Sequence, residues 1–332
     1  MKDATDTLGS DGTYFDPLWR LRIDLTPLEM ELLRSWWVRR LQFISHAGAA
    51  AITTTQTYSR LEHSLGVFAL AAHFTPHDSA ARVAALLHDI GHLPFSHTFE
   101  GLGGLNHHLL GRERIMSLDA VLQSHGLTAD HVIAVEEGTV QSCLRGAEGH
   151  LRLDHLDSFL RSGQAHGRTH TSPAELLTRL RLIDGGIDTD SVTAQEIVAL
   201  IIGEAHGQRS AVNVVAYTVL RNFADSLFDR HDPIHIAAMT DDEFWSVLLA
   251  DPVVGTEAAR FRRMPQSWIA TAVSPTDSFV SDHADELTFT IRRSYLDLPT
   301  VGGNTLSSND AIEILAQALP LQFRVRNTSS KS

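Results

Sequence analysis

Apolar residues recur every three to four positions through most of the chain between residues 28 and 249, a spacing typical of helices that bury one face. This spacing predicts helices at residues 28–44, 64–74, 79–90, 112–124, 151–160, 174–183, 194–202, 212–228 and 241–249. Residues that favour a helix start precede several of them, among them Thr26, Asp78 and Ser172. We therefore expect a mainly α-helical body.

The pattern changes beyond residue 274. Residues 286–298 alternate between apolar and polar side chains, as do residues 321–325, and a helix-like stretch lies between them at residues 310–319. The change predicts a small C-terminal α+β appendage, residues 275–326, after a helical domain at residues 14–255. No linker marks the boundary between the two.

Composition narrows the class of protein. Of the 332 residues, 43% are hydrophobic and 20% are charged, which is typical of a globular protein. No apolar run is long enough to span a bilayer and the first residues resemble no targeting signal, so we expect a cytoplasmic protein without a membrane partner. A net charge of −13 with few lysines argues against a nucleic-acid partner. The single cysteine, Cys143, excludes a multi-cysteine zinc site.

Three His-Asp dipeptides occur among 19 histidines, at residues 77–78, 88–89 and 231–232. The first precedes a helical run and the third precedes a proline, so a helix cap and a turn explain them. The pair at 88–89 instead ends a strongly apolar helix. Burying an imidazole beside a carboxylate is unfavourable unless the two bind each other or a cation.

Two further residues fit a metal site with this dipeptide. His63 begins another apolar helix, and Asp154 lies in a leucine-rich run. Two imidazoles and two carboxylates suit one divalent ion such as Mn, Fe, Co, Ni, Mg or Zn, with positions left for water or a phosphate oxygen. The sequence therefore predicts a metal site formed by His63, His88, Asp89 and Asp154.

The motifs YSRLEHSLGV, LLHDIGHLPFSH and LDHLDSFLR resemble those of HD-superfamily nucleotide hydrolases. The chain is most similar to the branch of bacterial dGTP triphosphohydrolases and SAM-and-HD-domain dNTP triphosphohydrolases, over about residues 14 to 250. The resemblance implies an HD-domain helical fold, one divalent metal ion, a small-molecule nucleotide substrate and a homo-oligomer. It assigns the four ligand positions to His63, His88, Asp89 and Asp154, with Asp157 as the alternative last ligand.

The same resemblance implies roles beside the metal. His92, His97 and His107 fall where the family has imidazoles near the scissile phosphate, which makes them candidates for general acid, general base and charge stabilisation. Each imidazole has an alternative role, that of only orienting a ligand. Arg60 matches a phosphate-binding arginine of the family, and its alternative is an ion pair with Glu62.

The candidate substrate-binding residues include departures from the family. His155 replaces a lysine, Ser158 a tyrosine and, after Arg161, Ser162 an aspartate; the family uses these positions for the phosphate tail and the deoxyribose. His46 stands where the family has a sugar-contacting glutamine, and its alternative is a buried structural histidine. Arg60, His46, His155, Ser158 and Arg161 are thus the predicted substrate contacts. His206 and Arg209 are weaker candidates for phosphate contacts.

We therefore expect a metal-dependent phosphohydrolase acting on an ester or anhydride of a nucleotide, in the manner of a (deoxy)nucleoside triphosphate triphosphohydrolase with an altered pocket. The scarcity of lysine favours an alternative, a nucleotide phosphomonoesterase acting on a mono- or modified nucleotide. Two other classes stay open. A di-iron oxygenase would need a second iron, bound by histidines such as His92, His107 or His108. A non-catalytic nucleotide-binding module would bind without turnover.

Overall fold

The computed structural model describes residues 6–273, 286–306 and 309–328, and it is mainly helical, as the apolar spacing predicts. None of the described helices is both long enough and apolar enough to cross a membrane. In chain order the α-helices of this part of the chain are α1 Pro27–Arg34, α2 Trp36–Arg40, α3 Arg60–Phe74, α4 Ser79–Leu87, α5 His107–Ser117, α6 Asp119–Ser124, α7 Ala129–Glu137, α8 Leu153–Ala165, α9 Pro173–Leu177, α10 Ser191–Gln208, α11 Ala211–Phe228, α12 Pro233–Ala237, α13 Asp241–Ala250, α14 Gly255–Arg263 and α15 Asp310–Gln317.

The strands of the described residues form small sheets. In chain order they are β1 Thr13–Asp16, β2 Leu21–Asp24, β3 Arg181–Ile183, β4 Gly186–Thr189, β5 Trp268–Ala272, β6 Leu287–Ile291, β7 Thr300–Val301, β8 Asn304–Thr305 and β9 Leu321–Asn327. Their orders are β1-β2, β3-β4-β7-β8 and β5-β9-β6, and only the β4–β7 pair is parallel. The predicted α+β character of the C-terminal region is therefore confirmed.

Helices α3, α4 and α8 form the core that positions the candidate site. Capping fixes where the first two begin: the Ser59 side chain accepts a hydrogen bond from the Glu62 backbone, and Asp78 accepts one from Ala81. Helix α3 approaches α8 closely at Gly66, where a Cβ atom would lie 2.1 Å from an oxygen of Asp157. A side chain at this position would therefore push the two helices apart.

A second hydrophobic core lies against helix α11. Phe223 and Leu227 of this helix are buried with Phe261 of α14, and the three-stranded sheet β5-β9-β6 adds Phe323 and Val325. The sheet is antiparallel, with β9 in the centre. The C-terminal strands therefore pack on the helical body through a core of their own.

Three predicted helices are interrupted in the structure, and one of them, at 112–124, is divided at Leu118 between α5 and α6. The predicted helix at 28–44 breaks at Ser35, whose backbone is extended (ψ 147°), so α1 ends at Arg34 and α2 starts at Trp36. The predicted helix at 174–183 ends at Leu177, and residues 181–183 form strand β3 of a hairpin with β4. In each case the apolar spacing continues through the break, and over a short run this spacing does not distinguish one continuous helix from two shorter elements separated by a turn.

The C-terminal predictions have mixed outcomes. Strand β9 and helix α15 lie where predicted, but the alternating stretch 286–298 is a strand only as far as Ile291. Residues 292–298 have no regular structure apart from one bridge between Leu298 and His150. Residues 274–285 lie outside the described residues, so the division into domains at 14–255 and 275–326 stays a prediction.

Candidate metal centre

Four side chains converge where α3, α4 and α8 meet. His63 lies in the first turn of α3, His88 directly follows the last turn of α4, and Asp154 lies in the first turn of α8. One ring nitrogen of each histidine and one Asp154 oxygen lie within 4.8 Å of one another. Asp89 borders this group, and we call these four residues the metal donors.

The spacing of the donor atoms suits a single cation. His63 Nε2 lies 3.1 Å from Asp154 Oδ1 and 3.7 Å from Asp89 Oδ2. His88 Nε2 lies 3.4 Å from Asp89 Oδ1 and 3.9 Å from Asp154 Oδ1. Ligand atoms held about 2.1 Å from one ion are separated from one another by roughly 3 to 4 Å. The residues present therefore fit one divalent ion.

The ring orientation of His63 and His88 leaves Nε2 of each as the nitrogen that can bind a metal ion. His88 Nδ1 donates to the carbonyl oxygen of Ala85 over 2.8 Å, and its buried Nε2 has no hydrogen-bond partner among the described residues. His63 Nδ1 faces Asp157 Oδ2 at 2.8 Å, and an ionised carboxylate only accepts hydrogen bonds, so Nδ1 carries the proton. A hydrogen-bonded Nδ1 behind an Nε2 that faces the other donors is the usual arrangement of a metal-binding histidine.

The electrostatics of His63 also favour a cation. Burial alone would lower the pKa of His63, but its hydrogen bonds to Asp154 and Asp157 raise that pKa to about 9. Without a cation, the proton on Nε2 lies between the ring and the Asp154 carboxylate. Metal binding displaces such protons, so a divalent ion would occupy the place of this positive charge.

Asp157 lies behind His63, away from the other donors. It is fully buried, accepts a hydrogen bond from Trp19 Nε1 over 2.7 Å, and binds the Arg161 guanidinium through both carboxylate oxygens. Asp16 also pairs with Arg161, over 3.3 Å. Asp157 therefore orients His63, whereas the Asp154 side chain, 40% exposed, faces the other donors.

Arg60 binds the metal donors from the side. Its Nη1 donates to Asp89 Oδ2 over 3.0 Å, its Nη2 donates to the His46 carbonyl over 2.7 Å, and its Nε contacts Ser96 Oγ at 3.3 Å. Arg60 is buried, and Glu62 accepts a hydrogen bond from the Ser59 backbone instead. The alternative of a surface ion pair between Arg60 and Glu62 is therefore wrong.

A second cluster, the histidine group, consists of His92, His97 and His107. One ring nitrogen of each lies within 4.8 Å of the others, and the His92 ring is stacked on His107 with centroids 4.6 Å apart. His92 Nε2 lies 3.0 Å from Asp89 Oδ1, so the group adjoins the metal donors. His107 Nδ1 bonds to Glu100 Oε2 over 2.8 Å, a pairing that orients the imidazole.

Two members of the histidine group, His92 and His97, have a lowered pKa. Burial and the positive charge of Arg60 hold the pKa of His92 well below its ordinary value. The same two causes, together with His107, lower the pKa of His97 to about 3. Both rings are therefore neutral near pH 7.

The loop that presents His97 has an unusual backbone. Phe95 and Ser96 have φ values of 53° and 54°, in the left-handed region that non-glycine residues rarely adopt. The Asp241 carboxylate accepts hydrogen bonds from the backbone nitrogens of Phe95, over 2.6 Å, and Ser45, over 2.8 Å. These contacts hold the strained loop against the helical body, as is common at functional sites.

The low pKa of His97 makes a prediction about acid stability. In the unfolded chain His97 takes up a proton near its ordinary pKa of 6.5, whereas in the folded protein it does so only near pH 3. Stability should therefore fall as pH falls from about 6.5 towards 3. We expect the free energy of unfolding, measured with urea, to decrease between pH 6.5 and 4 in both proteins, but by on the order of 1 kcal/mol less in His97→Gln than in the wild type. The figure is reduced because the ring keeps some solvent contact.

A matched control for this measurement is His131→Gln, because His131 is exposed on α7. Its stability should follow the wild-type curve throughout the pH range. If His97→Gln also runs parallel to the wild type, His97 is not held neutral by its surroundings.

Besides Arg60, the structure brings two of the predicted substrate contacts next to the metal donors. The His46 ring lies 4.5 Å from that of His63 and stacks on Tyr58 at 4.9 Å. His155 directly follows Asp154, and its Nε2 lies 4.0 Å from Asp154 Oδ2. Both rings therefore border the candidate site.

Other predicted contacts lie further from the donors or have protein partners. Arg161 is buried in its pairing with Asp157, and Ser162 Oγ bonds to Glu204. Arg209 Nη2 bonds to Ser294 Oγ and to the carbonyl of Leu315. Two have no such partner within the part of the chain that the structure describes: Ser158 is half-buried on α8, and His206 is exposed in the last turn of α10.

Four residues near the site were not predicted. Asp157 was considered only as a ligand, and Glu100 lies seven positions before His107 without a motif of its own. Asp297 pairs with His155 Nδ1 over 2.8 Å, and the Tyr295 ring lies 5.0 Å from that of His155. The one available signal was the concentration of Arg293, Tyr295 and Asp297 in the second half of the alternating stretch 286–298.

Comparison with known proteins agrees with this geometry. Residues 60–184 match the family model of the HD domain, a stretch that contains all four metal donors. The chain is 31% identical to the metal-dependent phosphohydrolase cns2 of Cordyceps militaris over 160 residues, 45% of this chain and 44% of that protein. It is 29% identical to a deoxynucleoside triphosphate triphosphohydrolase SAMHD1 homolog of Dictyostelium discoideum over 117 residues, 30% of this chain and 23% of that protein. It thus spans less than half the length of either relative.

A solved structure is similar over nearly the whole chain. It is the crystal structure of a hypothetical protein from Aquifex aeolicus, with a TM-score of 0.67 and 17% sequence identity over 96% of each chain. At this identity the likeness shows a shared fold. The helical body and the C-terminal sheets therefore occur together in another protein.

Proposed function

We propose that the chain hydrolyses a phosphate ester or anhydride of a nucleotide, because residues 60–184 match the HD domain and the chain is similar to a metal-dependent phosphohydrolase. A (deoxy)nucleoside triphosphate is the first candidate substrate, and its products would be the nucleoside and tripolyphosphate. The triphosphate assignment draws on the similarity to a deoxynucleoside triphosphate triphosphohydrolase homolog. The homo-oligomer and the cytoplasmic location stay predictions.

One observation carries the proposal, the buried and unpartnered Nε2 of His88. A buried polar atom without a partner is unfavourable, and this one is oriented towards carboxylate oxygens of Asp89 and Asp154. A divalent cation satisfies the nitrogen and both carboxylates together. When bound, such an ion supplies Lewis-acid polarisation of a phosphoryl oxygen.

The surrounding residues support in-line attack on phosphorus. Arg60 adds positive charge beside the donors and neutralises charge that develops on the phosphoryl oxygens. The neutral ring of His92 or His97 accepts a proton from the attacking water. His107, oriented by Glu100, donates a proton to the leaving oxygen. Each role requires the histidine group to lie beside the phosphate, which its 3.0 Å contact with Asp89 supports.

A nucleotide phosphomonoesterase is the second candidate. Two arginines that the sequence suggested for substrate binding already have protein partners, Arg161 with Asp157 and Arg209 with Ser294 and Leu315. Fewer available cations suit a shorter phosphate chain. This observation favours a mono- or modified nucleotide.

The test is a screen of mono-, di- and triphosphate nucleotides with Mn, Mg, Co or Fe, measuring orthophosphate, pyrophosphate and tripolyphosphate separately. We expect metal-dependent release of tripolyphosphate from nucleoside triphosphates. Orthophosphate alone would overturn the triphosphate assignment and support the phosphomonoesterase. Two irons per chain with oxygen consumption would favour the oxygenase, and a metal-loaded protein inert on every nucleotide would favour the binding module.

A further inference from the structure

Residues 292–298, which we call the clasp, cross from strand β6 to the N-terminal end of α8. Leu298 is hydrogen-bonded on both sides: its carbonyl accepts from the Leu151 nitrogen over 2.8 Å and its nitrogen donates to the Gly149 carbonyl over 2.9 Å. Nearer β6, Ser294 Oγ accepts from Arg209 Nη2 over 2.8 Å. The clasp is thus fixed at two points on the helical body.

Between these points the clasp approaches the metal donors. Asp297 bonds to His155 Nδ1 over 2.8 Å, a contact that holds His155 in place. Asp297 also lies 3.6 Å from Arg152. The Tyr295 ring packs against His155 with centroids 5.0 Å apart, and His155 in turn directly follows Asp154 in α8. Tyr295 therefore lies one side chain away from a metal donor.

The polar groups of the clasp face this region without using up their bonding capacity. The Tyr295 hydroxyl has no hydrogen bond among the described residues, although the side chain is half-buried. Burial raises the pKa of Tyr295, and the nearby Asp154 carboxylate adds to the rise, so the hydroxyl stays a donor. The Arg293 guanidinium lies over the Tyr295 ring, 5.2 Å from its centroid, and Arg293 is exposed.

We propose that the clasp is a substrate-binding element in which the Tyr295 hydroxyl and the Arg293 guanidinium bind the phosphate chain of the nucleotide. This inference rests on the proposed function. The clasp would supply a hydrogen-bond donor and a cation beside His155, where the resembling enzymes have a lysine. Arg293 covers one face of the Tyr295 ring, so the hydroxyl, and not base stacking, makes the contact.

Within the clasp, the residues that fix it to the helical body differ from those that we propose bind the substrate. Asp297 and Ser294 use their side chains to fix the clasp on His155 and Arg209. Tyr295 and Arg293 have no such partner for their hydroxyl and guanidinium in the described structure, apart from the contact between the Arg293 guanidinium and the Tyr295 ring. Removing the Tyr295 hydroxyl should therefore change substrate binding and leave the fold intact.

The experiment compares Tyr295→Phe and Arg293→Ala with the metal-loaded wild type, on a nucleoside triphosphate and the matching monophosphate. A hydrogen bond to a charged group contributes about 2 kcal/mol, so we expect KM for the triphosphate to rise about 10- to 30-fold in each variant, with kcat changed less than about 3-fold. For the monophosphate the rise should be smaller in Arg293→Ala. The control is Arg326→Ala, which removes an exposed arginine on β9.

A second measurement separates this inference from the proposed function. Binding of a hydrolysis-resistant α-thio nucleotide to the metal-loaded protein is followed by calorimetry, and we expect Kd to rise in both clasp variants and not in Arg326→Ala. Unchanged KM and Kd in folded Tyr295→Phe and Arg293→Ala would overturn the role of the clasp. If the wild type hydrolyses no nucleotide, the proposed function fails, and the Kd comparison alone decides the clasp.

Discussion

Replacing Asp89 with alanine is expected to lower kcat/KM by at least about 1000-fold while the helical body stays folded. Asp89 faces Nε2 of both donor histidines, accepts a hydrogen bond from Arg60 Nη1 and lies 3.0 Å from His92. Its loss removes a metal ligand and releases the positioning of two candidate catalytic groups. Steady-state kinetics, elemental analysis and circular dichroism check the three parts of this expectation.

Two further variants make the result interpretable. Asp89→Asn keeps the shape and part of the hydrogen bonding to Arg60, so a similar loss of activity in this variant assigns the effect to the carboxylate charge. Asp232→Ala is the matched control, because Asp232 belongs to another His-Asp dipeptide and caps α12 through the Ile234 nitrogen. It should lose about 1 kcal/mol of stability and keep its activity. Full activity in Asp89→Ala would show that the assignment of the site is wrong.

The helices that position the site were predictable from local sequence. Periodic apolar residues and caps at Ser59 and Asp78 place His63 at the start of α3 and His88 at the end of α4. The context of the dipeptides also distinguished residues 88–89, because only these directly end a buried apolar helix. Asp78 caps α4 as expected, and residues 231–232 follow the turn after α11, where Asp232 also caps α12.

The contacts between distant segments were not predictable from one sequence. Glu100 bonds to His107 in a loop region where Phe95 and Ser96 have positive φ values, which no local propensity favours. The clasp meets α8 across 142 positions, from His155 to Asp297. Apolar periodicity reports burial, and it carries no information about which buried elements meet.

The choice between Asp154 and Asp157 shows the same limit at close range. The two residues are three positions apart on α8, so both lie on roughly one face of the helix and either fits a ligand pattern. The structure separates them through His63, whose Nε2 faces Asp154 and whose Nδ1 faces Asp157. Replacing each aspartate in turn should therefore give opposite outcomes.

Asp154→Asn is expected to lose the metal and at least about 1000-fold in kcat/KM, with little loss of stability, because its side chain is 40% exposed. Asp157→Asn is expected to lose about 3 to 5 kcal/mol of stability, because the buried Arg161 loses its main ionic partner and an NH2 donor replaces one of the two oxygens that accept from Trp19, His63 and Arg161. Its metal site should persist with weaker affinity, as expected when a residue behind a ligand is changed. Urea unfolding of the metal-free proteins and metal titration measure the two effects separately.

Stability and metal binding respond independently in this pair, so each variant serves as the control for the other. A general disturbance of α8 would lower both quantities in both variants, whereas a ligand and an orienting residue on one helix face give a crossed pattern. If Asp157→Asn releases the metal and stays stable while Asp154→Asn keeps it, Asp157 is the fourth ligand. The expected crossed pattern would instead assign Asp154 to the cation and Asp157 to the orientation of His63, in agreement with the two nitrogens of the His63 ring, of which Nε2 faces Asp154 and Nδ1 faces Asp157.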